Sequence, residues 1–201
     1  MPKTHRVDKD VKEFCGWAAL MEIINKARLT RDKALIATTF LTGGRISEVL
    51  LLRKSNFDLS NPDVVLVKNM RVLKRYEKKG ERMVNGKKRW ITELKKDYRT
   101  FPILKKEPPV PILEDWLKGI KGKDERLFSV SRVQAFLMIR GLGQNLYPHW
   151  FRAQRACQLA SEYGFDLHDL MDFFTWKDIK IALHYSKLGW KGLAKKMGVQ
   201  V

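Results

Sequence analysis

One stretch of this chain, between residues 62 and 107, differs in texture from the sequence on either side of it. It contains the valine- and leucine-rich "DVVLVKNMRVLKRY", followed by "KKRWITEL" and "YRTFPIL", and such runs are typical of strands. Basic residues fill the connections between them, and Pro108, Pro109 and Pro111 end the stretch. The pattern predicts a small sheet of two or three antiparallel strands.

Outside this stretch the apolar residues recur at helical spacing. Before it lie "DVKEFCGWAALMEIINKAR", a helix from Thr30 to Leu41 that stops at Gly43 and Gly44, and "RISEVLLLRK". After it lie "ILEDWLKGI", "SRVQAFLMIRGLG", "PHWFRAQRACQLASEYG", "LHDLMDFF" and "WKDIKIALHYSKLG". The predicted fold class is therefore α+β: a mostly α-helical domain with a small antiparallel β-sheet or hairpin.

The length and the hydrophobic content fit one globular domain. The chain has 201 residues, of which 44% are hydrophobic and 31% charged, and we expect residues 1–201 to form a single core. No uninterrupted apolar run approaches the roughly 18 residues of a membrane span, and the start "MPKTHRVDKDVKEF" has no apolar signal-peptide core. The sequence therefore predicts a cytosolic protein without membrane contact.

The net charge indicates the partner. The chain carries a formal charge of +18, and a folded domain with so large an imbalance repels itself unless it binds a polyanion. The charge is uneven, because residues 68–106 contain fifteen Lys or Arg against four Asp or Glu, an excess of eleven. A solvated surface would explain such a run, but its place on a predicted hairpin favours an arm that grips nucleic acid phosphates.

The cysteines and histidines predict no metal site. Cys15 and Cys157 lie far apart in apolar, helix-like sequence, so we expect buried reduced thiols. They form no ligand set with the four histidines, and no glycine-rich loop of the nucleotide-binding kinds is present.

Two short motifs could hold a phosphate. In "TGGRISEVLLLRK", Arg45 follows a double glycine at a predicted helix start, where backbone N–H groups favour an anion. In "HWFR", His149 and Arg152 are three positions apart and share one face of a helix that Pro148 starts. Each has an ordinary alternative, since Arg45 can simply pair with Glu48, and "HWFR" can be a core helix with polar edges.

A third motif lies near the end of the chain, at residues 175–190. In "TWKDIKIALHYSKLGW", Tyr185 stands in basic, helical sequence nine residues after Trp176. A lone tyrosine in such a place usually packs with its hydroxyl towards water. On one straight helix nine residues make two and a half turns, so the two side chains would point to opposite sides unless the helix breaks.

The order of these motifs resembles the catalytic domain of the tyrosine recombinases, the integrase family that includes lambda integrase and the Xer recombinases. The resemblance runs through "TGGRISEVLLL", "YRTFPI", "HWFR" and "FFTWKDIKIALHY", and covers essentially the whole chain. It implies that Glu48 braces the site and that the general acid is Lys95 or Lys96, with a slight preference for Lys95. The catalytic residues that it implies are Arg45, Lys95, His149, Arg152, Trp176 and, as nucleophile, Tyr185.

The family chemistry suits these residue types. The resemblance implies that Tyr185 attacks a DNA phosphodiester, giving a 3'-phosphotyrosine and a free 5'-hydroxyl. Because the covalent link conserves the bond energy, it implies no cofactor and no metal. Two guanidiniums suit the charge on the non-bridging oxygens, and cationic surroundings favour the phenolate of a tyrosine.

The resemblance also implies double-stranded DNA as partner and assembly into a tetramer on it. Many members have a histidine directly after the second arginine, whereas this chain has Ala153. The first predicted helix matches the start of the catalytic domain, so the family's N-terminal core-binding domain is expected to be absent. The alternatives are a DNA-relaxing enzyme of the type IB topoisomerase kind and a DNA-binding module without activity.

Overall fold

The structure of the chain is a computed structural model that describes residues 11, 13–73, 76–186 and 197–198. These residues form helices on both sides of a β region in the chain. The α-helices are α1 (Trp17–Asn25), α2 (Thr30–Thr42), α3 (Ile46–Val49), α4 (Val110–Gly119), α5 (Arg132–Arg140), α6 (Pro148–Glu162), α7 (Leu167–Phe174) and α8 (Ile179–Tyr185). The described part thus matches the predicted fold class, mostly helical with a small β component.

The β region consists of two antiparallel sheets. Its strands are β1 (Phe57–Asp58), β2 (Val64–Val72), β3 (Tyr76–Val84), β4 (Lys87–Leu94) and β5 (Asp97–Leu104). Strands β1, β2 and β5 form one sheet with β2 in the centre, while β3 and β4 form a separate two-stranded hairpin. Because β3 and β4 lie between β2 and β5 in sequence, the hairpin is an insertion between two paired strands of the main sheet.

A β-bulge changes the direction of the side chains along β2. Val67 pairs with Phe101 and Met70 pairs with Arg99, so two residues of β2 lie opposite Thr100 alone. Before the bulge the odd-numbered residues of β2 are buried, and after it the even-numbered ones are. The extra residue therefore turns Met70 towards the core, as expected when a strand with period two gains one position.

Helix α2 lies in the centre of the core and packs against both α4 and α6. Its residues 34–42 are all buried, including three threonines. Each threonine hydroxyl donates to the carbonyl oxygen four residues earlier at 2.7 Å: Thr38 to Ala34, Thr39 to Leu35, and Thr42 to Thr38. These bonds satisfy the hydroxyls inside the helix, so its polar residues can be buried on all sides.

Helix α6 is buried along most of its length and carries a buried ion pair. Arg155 Nη1 lies 2.7 Å from Glu107 Oε2, and both side chains are 1% exposed. The hydroxyl of Tyr163 donates to Glu107 Oε1 at 2.9 Å. Two charges without water need such partners, and this pair fixes α6 against the turn that precedes α4.

Four sequence-based expectations differ from the structure. Within the described residues the β region has five strands in two sheets where the sequence predicted one small sheet of two or three strands, because β3 and β4 pair only with each other. The first helix begins at Trp17 and not near residue 10, because Gly16 has a left-handed φ of 86°. Helix α3 ends at Val49 and does not continue through "LLRK", because the backbone of Leu52 and Arg53 pairs instead with residues 126 and 127. Cys157 is buried as expected, but Cys15 is exposed, because it lies in the segment before α1, where its backbone N–H, and not its side chain, bonds to Gln154 of α6.

None of the helices in the described ranges is long and apolar enough to cross a membrane.

Candidate active site

The double glycine allows two distant parts of the chain to approach closely. Gly43 ends α2 with a left-handed φ of 54°. A Cβ atom on Gly43 would lie 2.4 Å from the Phe174 ring, and one on Gly44 would lie 2.4 Å from Met70 Cε. The clash with the Phe174 ring and the left-handed φ favour glycine at 43, whereas a side chain at 44 would force the flexible end of Met70 to move. "TGGR" thus lies in close contact with α7 and β2.

Arg45 and Glu48 form a partly buried ion pair at the start of α3. Arg45 Nη1 lies 2.8 Å from Glu48 Oε1, and the Arg45 backbone N–H donates to Glu48 Oε2 at 2.9 Å. Glu48 Oε1 also accepts the backbone N–H of Leu73 at 3.0 Å. The Glu48 side chain is 1% exposed, whereas that of Arg45 is 26% exposed. Pairing therefore holds Arg45 in place and leaves part of its guanidinium open to an anion.

Two further guanidiniums connect the end of α2 to the end of α7. Arg152 donates from Nη1 to the Gly43 carbonyl oxygen and from Nη2 to that of Phe174 at 3.4 Å. Arg99 donates to the carbonyl oxygens of the residues just before these two, Thr42 at 2.7 Å and Phe173 at 2.5 Å. Both side chains are buried. Each arginine thus donates to one carbonyl at the end of α2 and one at the end of α7, so the two helix ends are joined twice.

The charges in this cluster shift one another's pKa values. Burial lowers the pKa of Arg99 to about 10, with Glu48 raising it and Arg45 lowering it. The pKa of Arg152 is lowered by burial and then by the positive charges of Arg99 and Arg45. Burial alone would raise the pKa of Glu48, but Arg45 and Arg152 lower it below its ordinary value. Three guanidiniums share one carboxylate, so the cluster has an excess of positive charge that an anion would relieve.

A break between α7 and α8 brings Trp176 and Tyr185 together. Thr175 ends α7 in the left-handed conformation, with φ 53°, and α8 begins only at Ile179. The rings of Trp176 and Tyr185 then stack, with centroids 5.4 Å apart and planes 21° apart. The break that their spacing required is therefore present.

The stacked rings lie against Arg152. The Trp176 ring also stacks on Phe174 at 4.4 Å, and the Arg152 guanidinium lies 4.8 Å from the Phe174 centroid and 5.6 Å from that of Trp176. Tyr185 is 3% exposed and interacts electrostatically with Arg152. The geometry thus brings Tyr185, Trp176 and Arg152 into one cluster.

The remaining predicted residues lie on α6 and between β4 and β5. His149 is the second residue of α6, one turn before Arg152, and is half-buried. Lys95 and Lys96 are exposed between the end of β4 and the start of β5. Asp97, the next residue, pairs with Val72, whose neighbour Leu73 donates to Glu48. Both lysines therefore lie on the turn that adjoins the carboxylate of the site, and both remain candidates.

Sequence reasoning missed Arg99, although it lies in the quoted motif "YRTFPI". Along β5, Tyr98 and Thr100 are exposed, whereas Arg99 and Phe101 are buried. Alternation of apolar and polar residues assigns Phe101 to the core face, and Arg99, two positions earlier, must then share that face. An arginine on the core face of a strand is the signal that could have identified it.

We expect Arg99→Met to destabilise the fold more than an exposed control does. The change leaves the carbonyl oxygens of Thr42 and Phe173 buried without their charged donor, and each such bond contributes about 1.5–3 kcal/mol. Urea denaturation should show a free energy of unfolding at least about 2 kcal/mol lower than that of the parent chain. Arg132→Met, at the exposed start of α5, is the matched control; equal effects of the two substitutions would contradict the bracing role of Arg99.

Comparison with known proteins agrees with this geometry. The family model described as "Phage integrase family" matches residues 16–189, a range that contains every residue of the cluster. The comparison with curated proteins finds no match. The family match confirms the family predicted from the order of the motifs.

Solved structures of three recombinases share the fold at 16% identity. XerA recombinase has a TM-score of 0.61 over 98% of this chain and 66% of its own. XerH site-specific recombinase, bound to its difH substrate before cleavage, has a TM-score of 0.59 over 92% of this chain and 52% of its own. The Tn1549 transposon integrase, in complex with circular intermediate DNA, has a TM-score of 0.57 over 92% of this chain and 64% of its own. This chain thus spans between half and two thirds of these proteins, and the likeness confirms its fold class.

Proposed function

Because the chain belongs to the phage integrase family, we propose that it is a site-specific recombinase that cleaves and rejoins double-stranded DNA through a 3'-phosphotyrosine intermediate. One observation carries this proposal most directly: Tyr185 stacks on Trp176 beside Arg152, one of three arginines grouped around Glu48. A tyrosine beside these arginines can attack a phosphate that they hold once its hydroxyl is exposed.

In the proposed reaction the Tyr185 hydroxyl oxygen attacks phosphorus, and the bond from phosphorus to the 5'-oxygen breaks. The tyrosine proton passes to an acceptor such as His149, and the leaving oxygen takes a proton from Lys95 or Lys96 and departs as a 5'-hydroxyl. The 5'-hydroxyl of a second strand reverses these steps and releases Tyr185. Each step exchanges one phosphate ester for another, so the residues need no external energy source.

Arg45 and Arg152 are proposed to bind the non-bridging oxygens, where negative charge develops. The partly exposed guanidinium of Arg45 can meet DNA directly. Arg152 is 2% exposed and donates to two carbonyl oxygens, so a phosphate can bind only its remaining N–H groups, once they are uncovered. Tyr185 is 3% exposed, and we propose that α8 shifts when DNA binds so that both the Tyr185 hydroxyl and Arg152 become accessible.

The hairpin of β3 and β4 is proposed to grip the DNA backbone. Arg82 and Arg89 lie directly opposite each other across it, an arrangement of like charges that destabilises a strand pair. Three exposed cations of the hairpin, Arg82, Lys87 and Arg89, have no ion pair within the described residues. By contrast, Lys88 lies 3.3 Å from Glu81. A polyanion would relieve the unpaired charges, which supports DNA as the partner; a tetramer on DNA belongs to the same proposal.

Tyr185→Phe should abolish covalent attachment to DNA and leave DNA binding nearly unchanged, because it removes one oxygen and no charge. The test uses a pool of nicked duplexes of random sequence that is first enriched for the duplexes the chain binds, so that a preferred site is represented. The nick traps the adduct, which denaturing electrophoresis then detects. Tyr163→Phe, which alters a hydroxyl bonded to Glu107 outside the site, is the control and should still form adduct. If the Tyr185→Phe chain forms adduct, Tyr185 is not the nucleophile. If the parent chain forms none while it binds DNA, the alternative of a binding module without activity is favoured.

Comparison of Lys95→Ala with Lys96→Ala should identify the general acid. A sulfur atom in place of the leaving 5'-oxygen departs without a proton, so this substrate restores only the variant that has lost the acid. We expect Lys95→Ala to lose roughly 100-fold or more in cleavage rate on ordinary DNA and to regain most of it with sulfur. Rescue of Lys96→Ala would assign the acid to the neighbouring lysine, and rescue of neither would exclude both.

The salt dependence of DNA binding should fall when the unpaired hairpin cations are removed. A log–log slope of about −5 or steeper is expected for the parent chain if six or more phosphates are neutralised. The triple substitution of Arg82, Lys87 and Arg89 by Gln should flatten this slope by about 2 to 3. The control makes the same change of charge by replacing the exposed Lys26, Lys118 and Lys121 with Gln. Equal effects of the two triple variants would mean that only net charge matters.

A further inference from the structure

A second positively charged cavity adjoins the candidate active site. It has a volume of about 340 Å³ and is lined by three arginines, Arg53, Arg71 and Arg126, together with two asparagines, Tyr98 and Glu48. Glu48 belongs to both sites, because the same carboxylate holds Arg45. With about 30 Å³ per water molecule, the cavity has room for roughly ten waters, enough for a phosphate with its adjoining sugar.

Tertiary contacts build one wall of the cavity. Arg53 and Arg126 face each other in an isolated antiparallel bridge. Backbone bonds on either side hold this bridge, from Leu127 N–H to the Leu52 carbonyl at 3.0 Å and from Lys54 N–H to the Glu125 carbonyl at 3.1 Å. Two like charges are thus placed opposite each other on fixed backbone, which costs free energy unless an anion lies between or beside them.

The bulge in β2 supplies the opposite wall. Without the extra residue, Arg71 would share the buried face of Val65 and Val67, but after the bulge it is half-buried on the outer face, across from Tyr98. Asn69, which lines the cavity, has a left-handed φ of 53° at this position. Bulges beside functional sites often redirect a side chain in this way, and here the redirected side chain is an arginine that enters the cavity.

Within the part of the chain that the structure describes, acidic groups do not neutralise the positive charge of the cavity. Glu48 is its one acidic lining residue, and its oxygens already accept hydrogen bonds from Arg45 and Leu73. Arg53 is held by a hydrogen bond from Nη1 to the Asp124 carbonyl oxygen. Neither Arg71 nor Arg126 has a side-chain hydrogen bond or ion pair within the described ranges. Two guanidiniums, each with several donors in a planar fork, therefore remain for an anion.

We propose that this cavity binds a second phosphate of the same DNA strand whose scissile phosphate lies at Arg45. A strand of duplex DNA presents one phosphate for about every 3.4 Å along the helix axis, so a strand held at Arg45 brings further phosphates to a cavity that shares Glu48 with it. The ligand is a nucleic acid backbone phosphate with its sugar, and its role is to fix the register of the strand. The inference rests on the proposed function in one respect, namely that the bound strand is the one whose phosphate is cleaved.

The test measures binding without cleavage, so that it stays separate from the test of catalysis. All variants carry Tyr185→Phe, and their affinity is measured by fluorescence anisotropy with a pool of random-sequence duplexes. Arg71→Gln and Arg126→Gln should each weaken binding about tenfold at low salt, as expected for one charged hydrogen-bonding contact. Arg71→Lys should keep much of the affinity, whereas Arg28→Gln, an exposed arginine outside the cavity, should change it little. Thermal denaturation of each variant establishes that it folds.

A second measurement locates the contact. A duplex is selected from the pool by binding alone, and its phosphates are ethylated singly to remove their charge. With arginines 71 and 126 intact, ethylation of one particular phosphate should weaken binding. In Arg71→Gln and Arg126→Gln, ethylation of that phosphate should have no further effect, while Arg28→Gln should keep the full pattern.

Three outcomes would overturn the proposal. Equal loss of affinity in Arg28→Gln would reduce the effect to net charge, and an unchanged interference pattern in both cavity variants would place the strand elsewhere. If the cavity variants lose only the thermal protection given by inorganic phosphate and bind duplex normally, the cavity holds free anions and not DNA.

Discussion

The candidate site depends on the carboxylate of Glu48, which is almost fully buried. Burial disfavours its charge, and the nearby guanidiniums of Arg45 and Arg152 reverse that preference. In return, this single negative charge allows three guanidiniums to lie close together in a largely buried region, where their mutual repulsion would otherwise be strong. Its hydrogen bonds also reach Arg45 at the start of α3 and Leu73 after β2, so one side chain joins two segments.

The second constraint is the contact between the ends of α2 and α7. Carbonyl oxygens that have no partner at a helix end must find donors when they are buried. Arg99 and Arg152 donate to two consecutive carbonyls on each side, so the ends are held at a fixed distance. Gly43 and Gly44 permit this approach because a side chain on either would overlap Phe174 or Met70. The same braces position Arg152 beneath Trp176, and a structural arginine and a proposed catalytic one are therefore neighbours.

The two faces of the main sheet contribute to two different sites. Met70 and Arg99, a cross-strand pair, face the core and the cluster, whereas the next pair, Arg71 and Tyr98, faces outwards to the second cavity. A single bulge decides which residues of β2 take each role. The inserted hairpin adds exposed cations such as Arg82 and Arg89, and the next strand adds the buried Arg99. One short stretch of sequence therefore contributes positive charge both to the surface and to the cluster.

The sequence by itself determined the fold class, the place of the β region in the chain and the residues whose order resembles a recombinase, because periodicity and motif order are local or sequential properties. It also showed that Trp176 and Tyr185 could meet only if the helix broke. It did not determine the number of strands or their division into two sheets, which depend on pairing between distant segments. It did not identify Arg99 as buried, the early end of α3 or the exposure of Cys15, since each depends on which distant segment packs there. The cavity of Arg53, Arg71 and Arg126 illustrates the same limit: its arginines are far apart in sequence, and a bulge and a backbone bridge bring them together. Tertiary structure decided these features because a side chain's direction and burial are set by the partners that satisfy its backbone and its charge.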